Sequence, residues 1–413
     1  MKIGIIGSGI AGIVAAELLQ GPHQVTLFEA QDRLGGHTNT IEIDENSQKL
    51  NIDTGFIVFN ELTYPNFIKF LRRLNLSYQP SEMSFSVKSE KTGLEYNGTT
   101  LNTLFAQRKN IFSISFHRML KEILRFNQET KQYIYQQKSG ITLGEFLKNG
   151  DYSKNFINNY LYPMTAAIWS ANPQGLHTFP FTFLANFFEN HKMLDINNRP
   201  VWQVVKNGSH SYLKAFEKKF RGIIKLSSPV TSVFRHKEGV ALKSLHEESV
   251  FDEVIIATHS DQALKLLRSP TEKEKEILAS FAWQQNIATL HTDEKIMPKN
   301  KRAWASWNYY LSSVEQSNAC VTYYMNRLQG LKSKNQYFVS LNAVDYIAQE
   351  KTIQAIIYQH PVFNEKSFKN QARHAEISGK DKIHYCGAYW GYGFHEDGVK
   401  SALKVTQHWG IGI

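Results

Sequence analysis

Cysteine is scarce: the 413 residues hold two, Cys320 and Cys386. Two cysteines make no disulfide framework, and no Cys/His spacing around them suits a metal. Reduced thiols in a cytoplasmic setting are the expectation. Acid is also in short supply, with 37 Asp+Glu against 47 Lys+Arg, a net charge of +10. That balance favours anionic partners, lipid head groups among them. The basic residues form no run or tail, which disfavours a nucleic-acid reader. No run of about 18 apolar residues occurs, so no membrane-spanning helix is expected. Residues 3–16 are apolar but carry four glycines in a patterned turn, unlike the core of a secretory leader. Internal repeats and low-complexity tracts are missing too.

What remains is an ordinary globular composition, 20% charged and 42% hydrophobic, long enough for two to three domains. The chain opens as strand (residues 2–6), glycine turn, helix (about 11–20) and strand (24–29), with Gly21-Pro22 stopping the helix. Such a βαβ unit begins a parallel sheet. Further strands are expected at 223–243, 252–257, 286–292, 303–311 and 383–387, and helices at 272–281 and 398–409. Between 104 and 137, Phe112, Phe116, Met119, Leu120, Ile123 and Leu124 fall on one helical face with basic residues opposite. Residues 156–194 are crowded with aromatics, which serve more often as core than as pocket.

The opening turn is Gly7-x-Gly9-x-x-Gly12, with Ile10 and Ala11 starting the helix. Gly7 permits the tight turn, Gly9 lets a pyrophosphate approach the backbone, and Gly12 lets helix and strand pack closely. The pyrophosphate then meets free N–H groups and the helix dipole. Glu29 closes the second strand, where its carboxylate would accept hydrogen bonds from an adenosine ribose. A dinucleotide site follows.

Beyond the turn, Glu29-Ala30, Arg33 and the Gly35-Gly36 pair are spaced as in the flavin amine oxidase superfamily, which the chain resembles. His37 stands where many members carry arginine. Asp53-Thr54-Gly55-Phe56 resembles the strand passing beside the isoalloxazine. Ser228-Pro229-Val230 with Val233 resembles the strand that pairs with the adenine, and Ala257-Thr258 ends the strand returning to the nucleotide. The C-terminal CGAYWGYGFHEDGVKSAL, with Gly387, Asp397, Gly398 and Val399, resembles the motif closing over the flavin. The order of GGHTNT, DTGFIVFN, PMTAAIWS, ATHSDQAL and GYGFHEDG is similar to a bacterial group described as predicted NAD/FAD-binding proteins. That group also resembles the oxidase-like N-terminal region of plant cyclopropane fatty acid synthases.

The resemblance implies an α/β fold: a Rossmann-type FAD-binding domain of discontinuous sequence (1–80, 200–280 and 376–413), interleaved with a mixed-sheet and helical substrate domain (81–199 and 281–375). It implies non-covalent FAD; attachment through Cys386 is the disfavoured alternative. No second glycine-rich turn follows residues 252–257, so the substrate rather than a nicotinamide is expected to reduce the flavin. The lysine of amine oxidases has no counterpart in Asn286–Thr292. His395, Glu396 and Tyr392 are the candidate catalytic residues, His395 and Glu396 being the adjacent acid–base pair. The expected activity is dehydrogenation of a hydrophobic substrate, a fatty acyl chain or lipid, with peripheral membrane contact. Amine or polyamine oxidation is the alternative, and a non-catalytic flavoprotein supporting a lipid-modifying partner enzyme is the alternative of another class.

Overall fold

In the computed structural model, described for residues 1–413 except 171, 196, 198, 246 and 314–317, two large sheets face a shared cavity. The first is parallel, in the order Ile223–Lys225, Gln24–Phe28, Lys2–Ile6, Glu253–Ile256, Ile383–Tyr385. Ile3, Ile5, Leu27, Val254 and Ile255 are fully buried, as expected for strands covered on both faces. Helix Ile10–Leu19 is buried along its whole length, between this sheet and the terminal helix His395–Thr406. An apolar sequence on every side of the helix fits that position.

The second sheet has seven strands, in the order Thr352–Val362, Ala282–His291, Phe338–Leu341, Val321–Tyr324, Trp307–Leu311, Phe85–Ser89, Glu95–Asn97. Neighbours are antiparallel except Trp307–Leu311 beside Phe85–Ser89. Its strands come from stretches of sequence between those of the parallel sheet. The expected interleaved α/β architecture is therefore the one observed. Against the seven-stranded sheet lie helices whose aromatics form a core: Phe126, Phe156, Phe181, Phe183 and Phe188 are all buried. The aromatic wealth of 156–194 is mainly packing.

Two elements depart from expectation. The long amphipathic helix runs Ile114–Tyr135, capped by Ser113 accepting from the Phe116 N–H. Phe112 therefore lies in the preceding 3₁₀ turn Arg108–Phe112 and is 86% exposed rather than on the buried face. The terminal helix begins at His395, three residues earlier than expected. The Asp397 carboxylate accepts the Phe394 N–H and fixes the start there.

Candidate cofactor and substrate cavity

A cavity of about 1010 Å³ opens at the carboxyl ends of the parallel strands and runs to the seven-stranded sheet. Gly7, Gly9, Ile10, Ala11, Glu29, Ala30, Arg33, Gly35, Gly36, His37, Thr54, Gly55, Phe56, Val230, Ala257, Thr258 and Gly387 all line it. Gly12 does not; a Cβ there would lie 1.9 Å from the Gly7 carbonyl oxygen, so it serves helix–strand packing. Gly9 contrasts with it, since a Cβ there would meet nothing within 4 Å and would project into the cavity.

The glycine turn is held from behind. The Ser8 N–H and Oγ–H donate to Glu29 Oε2 at 2.9 and 2.6 Å, and the Gln31 N–H donates to Oε1 at 2.9 Å. This fixes the carboxylate at the cavity wall and leaves lone pairs for a ligand hydroxyl. Ser8 was not singled out from sequence, although a hydroxyl inside the glycine turn was the available signal. Arg33 donates to the carbonyls of Gly36 and Thr38 at 3.0 and 3.1 Å, so it shapes the Gly35-Gly36 loop.

Five imidazoles stand on the wall: His37, His191, His259, His360 and His395. His37 stacks on Tyr358 at 4.9 Å, and His259 on Trp283 at 3.8 Å. Burial lowers His37 to about 4 and both His259 and His360 to about 3, so all three are neutral. The tautomer of His360 follows from a chain of bonds anchored in the backbone. The Ile287 N–H donates to Asn342 Oδ1 at 3.1 Å, and Asn342 Nδ2 donates to Asn286 Oδ1 at 2.8 Å. Asn286 Nδ2 must then donate to His360 Nδ1 at 2.8 Å, which places the His360 proton on Nε2. Of the five, sequence reading named only His37 and His395 as site residues. The fold assembles them from distant segments, so no local motif marks the group.

The terminal motif divides in two. Tyr392 and His395 line the cavity; Glu396, Asp397, Gly398 and Val399 do not. His395 Nε2 bonds Thr38 Oγ1 at 3.0 Å and Tyr212 OH at 3.3 Å, while its ring stacks on Phe56 at 3.5 Å. Burial holds its pKa well below the usual value. Glu396 is no partner to it in the cavity. Its carboxylate accepts the Asn66 and Phe67 N–H groups at 3.2 and 2.9 Å, and Asn66 Nδ2 at 2.6 Å, capping helix Pro65–Arg73. Asp397 is turned back onto Phe394, and burial raises its carboxyl to about 6. Gly398 lies within the helix, where a Cβ would come 2.6 Å from Ile10 Cγ2. Val399 is fully buried. Cys386 is buried off the cavity, with its thiol pushed up to about 12.

Much of the remaining wall is apolar: Met83, Phe85, Met164, Ile168, Trp169, Phe187, Met193 and Trp307 are among its residues. Glu29 is the one carboxylate among the described lining residues; Lys192, Arg199 and Lys265 are cationic. Three buried polar atoms of wall residues, His37 Nε2, Trp307 Nε1 and Tyr389 OH, have no hydrogen-bond partner among the described residues. A long ligand with polar groups at its middle would fit both the open glycine turn and these atoms.

The fold and cavity define a dinucleotide-binding protein in which a second sheet forms the far wall of the cavity. Residues 10–330 match the sequence model of flavin containing amine oxidoreductases. The chain belongs to that family, and its cofactor is FAD. An L-amino-acid oxidase of Siganus canaliculatus is 22% identical over 317 residues, covering 69% of this chain and 55% of that protein. The chain thus spans about half the length of that relative. Among solved structures, a putrescine oxidase redesigned for cofactor binding gives a TM-score of 0.70 at 14% identity, covering 98% of each chain. A CLA-producing fatty acid isomerase from P. acnes gives 0.71 at 13%, covering 99% of this chain and 98% of that one. At these identities the likeness is one of fold.

Proposed function

We propose that the protein is a FAD-dependent oxidoreductase that dehydrogenates a hydrophobic chain, a fatty acyl group or lipid. One observation carries the reading: the substrate-side wall is built of methionine, aromatic and aliphatic side chains, with no carboxylate among its described residues. A di- or polyamine buried there would lack anionic partners for its charges, at a cost of several kcal/mol per ion, about 2–5 or more. An acyl chain needs none, and each buried methylene contributes about 0.8 kcal/mol. Lys192 and Arg199, also on the wall, suit a carboxylate or phosphate head group.

FAD, when bound, supplies the hydride acceptor. The chain's own residues do the rest. Gly7 to Ala11 and Glu29 hold the dinucleotide, and the neutral His360 offers an Nε2–H donor. His395 Nε2, joined to the Thr38 and Tyr212 hydroxyls, is placed to pass on the proton released with the hydride, since burial disfavours its keeping the charge. Amine oxidation is the second reading, favoured by the oxidases the chain resembles. The deciding experiment is anaerobic reduction of the flavin by dispersed acyl lipids against a panel of amines. Lipid turnover that leaves the flavin oxidised and yields an isomer would replace dehydrogenation by isomerisation. Reduction by neither class would favour a supporting role beside a lipid-modifying partner.

A further inference from the structure

No helix among the described residues is long and apolar enough to cross a membrane, yet the described surface carries an ordered apolar projection. Leu101 is 76% exposed, Phe112 86% and Ile114 86%, with Ile111 also exposed beside them. The backbone beneath is well tied. The Asn110 N–H donates to the Gln107 carbonyl, the Ser113 N–H to the Asn110 carbonyl, and Ser113 caps the long helix. Large apolar side chains held out by ordered backbone mark an interaction site more often than chance exposure does.

Charge says what the site meets. From residue 99 to 121 there is no Asp or Glu, while Arg108, Lys109, His117, Arg118 and Lys121 are all exposed. Arg108 is bonded to neutral oxygens of Asn102 and Phe105, so it keeps its full charge. Glu122, the next acid, is buried, bonded to Ser153 and paired with Arg118 at 3.2 Å, which leaves Arg108, Lys109 and Lys121 as the unpaired cations of the stretch among the described residues. Apolar tips ringed by cations fit the head-group and acyl boundary of an anionic bilayer.

The projection also connects to the cavity. Asn155 Nδ2 donates to the Ser115 carbonyl and Oγ at 3.0 Å, beside Ile114, and Asn159 Nδ2 donates to Asn155 Oδ1 at 2.6 Å. The next residue, Tyr160, lines the cavity, followed by Met164 and Ile168. The base of the projection is thus tied by hydrogen bonds to the segment that supplies Tyr160, Met164 and Ile168 to the cavity wall.

We propose that residues 101–121 form a membrane-docking wedge, with Leu101, Phe112 and Ile114 entering an anionic bilayer. This rests on the reading of an acyl substrate, but its test is independent of turnover. Holoprotein is sedimented with vesicles of phosphatidylcholine alone and with 30% phosphatidylglycerol. Binding is expected to the anionic vesicles and to weaken with salt. The pair Phe112→Ser and Ile114→Ser should lower affinity at least about tenfold. Lys109→Glu with Lys121→Glu should cost about fivefold or more per charge. Melting temperature should be unchanged in both, since these tips pack on nothing. Absence of binding to anionic vesicles, or binding indifferent to both pairs, overturns the proposal. So does a dimer that the Phe112→Ser, Ile114→Ser pair dissociates without any vesicle binding. Bleaching by detergent-dispersed lipid, measured on the same variants, separately reports the substrate reading: its loss in every variant and the parent sinks that reading alone.

Discussion

Gly9 and Gly12 lie three residues apart and should fail in opposite ways when changed to alanine. Gly9 has φ −63° and ψ 175°, a conformation open to any residue, and its added Cβ meets nothing within 4 Å. Gly9→Ala should leave the apoprotein as stable as the parent, or about 0.4–1 kcal/mol more so through reduced freedom of the unfolded chain. The same methyl projects into the cavity, where a bound pyrophosphate would approach the backbone. Overpacking of that kind costs about 1–3 kcal/mol, which weakens FAD roughly 5- to 150-fold. Gly12→Ala puts its Cβ 1.9 Å from the Gly7 carbonyl oxygen, and neither backbone can yield without parting the helix from the strand. That variant should lose more than about 3 kcal/mol before FAD is considered. Urea unfolding of deflavinated protein and FAD titration by fluorescence quenching separate the two effects. Parent-like FAD affinity in Gly9→Ala, or an apoprotein as damaged as Gly12→Ala, would refute the placement of the pyrophosphate.

Acid should weaken the apoprotein. His37, His259 and His360 stay neutral down to about 4, 3 and 3 in the fold, while in the unfolded chain they take up protons near 6.5. Their contribution is whole above pH 6.5 and is lost as pH falls toward those values, by about 1.4 kcal/mol per pH unit for each histidine. Urea midpoints flat between pH 7 and 5 would contradict this. Glu396→Ala should cost about 1–3 kcal/mol, because it strips the Asn66 and Phe67 N–H groups of their acceptor. It should leave the pH profile of flavin reduction in place; a displaced profile would return Glu396 to the chemistry. His395→Gln should retain the flavin spectrum and slow its reduction about 100-fold or more. An unchanged rate in stopped flow would remove His395 from proton handling.

The glycine-turn wall of the cavity was legible because its sequence pattern is local. A pyrophosphate cradle needs glycines at fixed offsets, and Gly7, Gly9 and Glu29 lie within one βαβ unit. The terminal motif was legible as a motif but not in its roles. Glu396 and Asp397 share a turn with His395, yet helical geometry directs their carboxylates to helix Pro65–Arg73 and to the Phe394 N–H. Only coordinates reveal such directions. His259 and His360 come from strand ends a hundred residues apart, joined through the sheets, so nothing in either neighbourhood announced the imidazole group. Phe112 was misplaced by periodicity alone. Its spacing fits the helical face, but Ser113 is the better cap and starts the helix after it.

The most direct test of the central claim is anaerobic titration of the purified yellow protein, following the visible flavin band. Detergent-dispersed phospholipids and free fatty acids of graded chain length are compared with monoamines, putrescine-type diamines and amino acids. Bleaching by acyl chains, recolouring on admission of an electron acceptor, and an extra double bond in the recovered lipid are expected. Bleaching by amines alone, with every lipid inert, would contradict the claim.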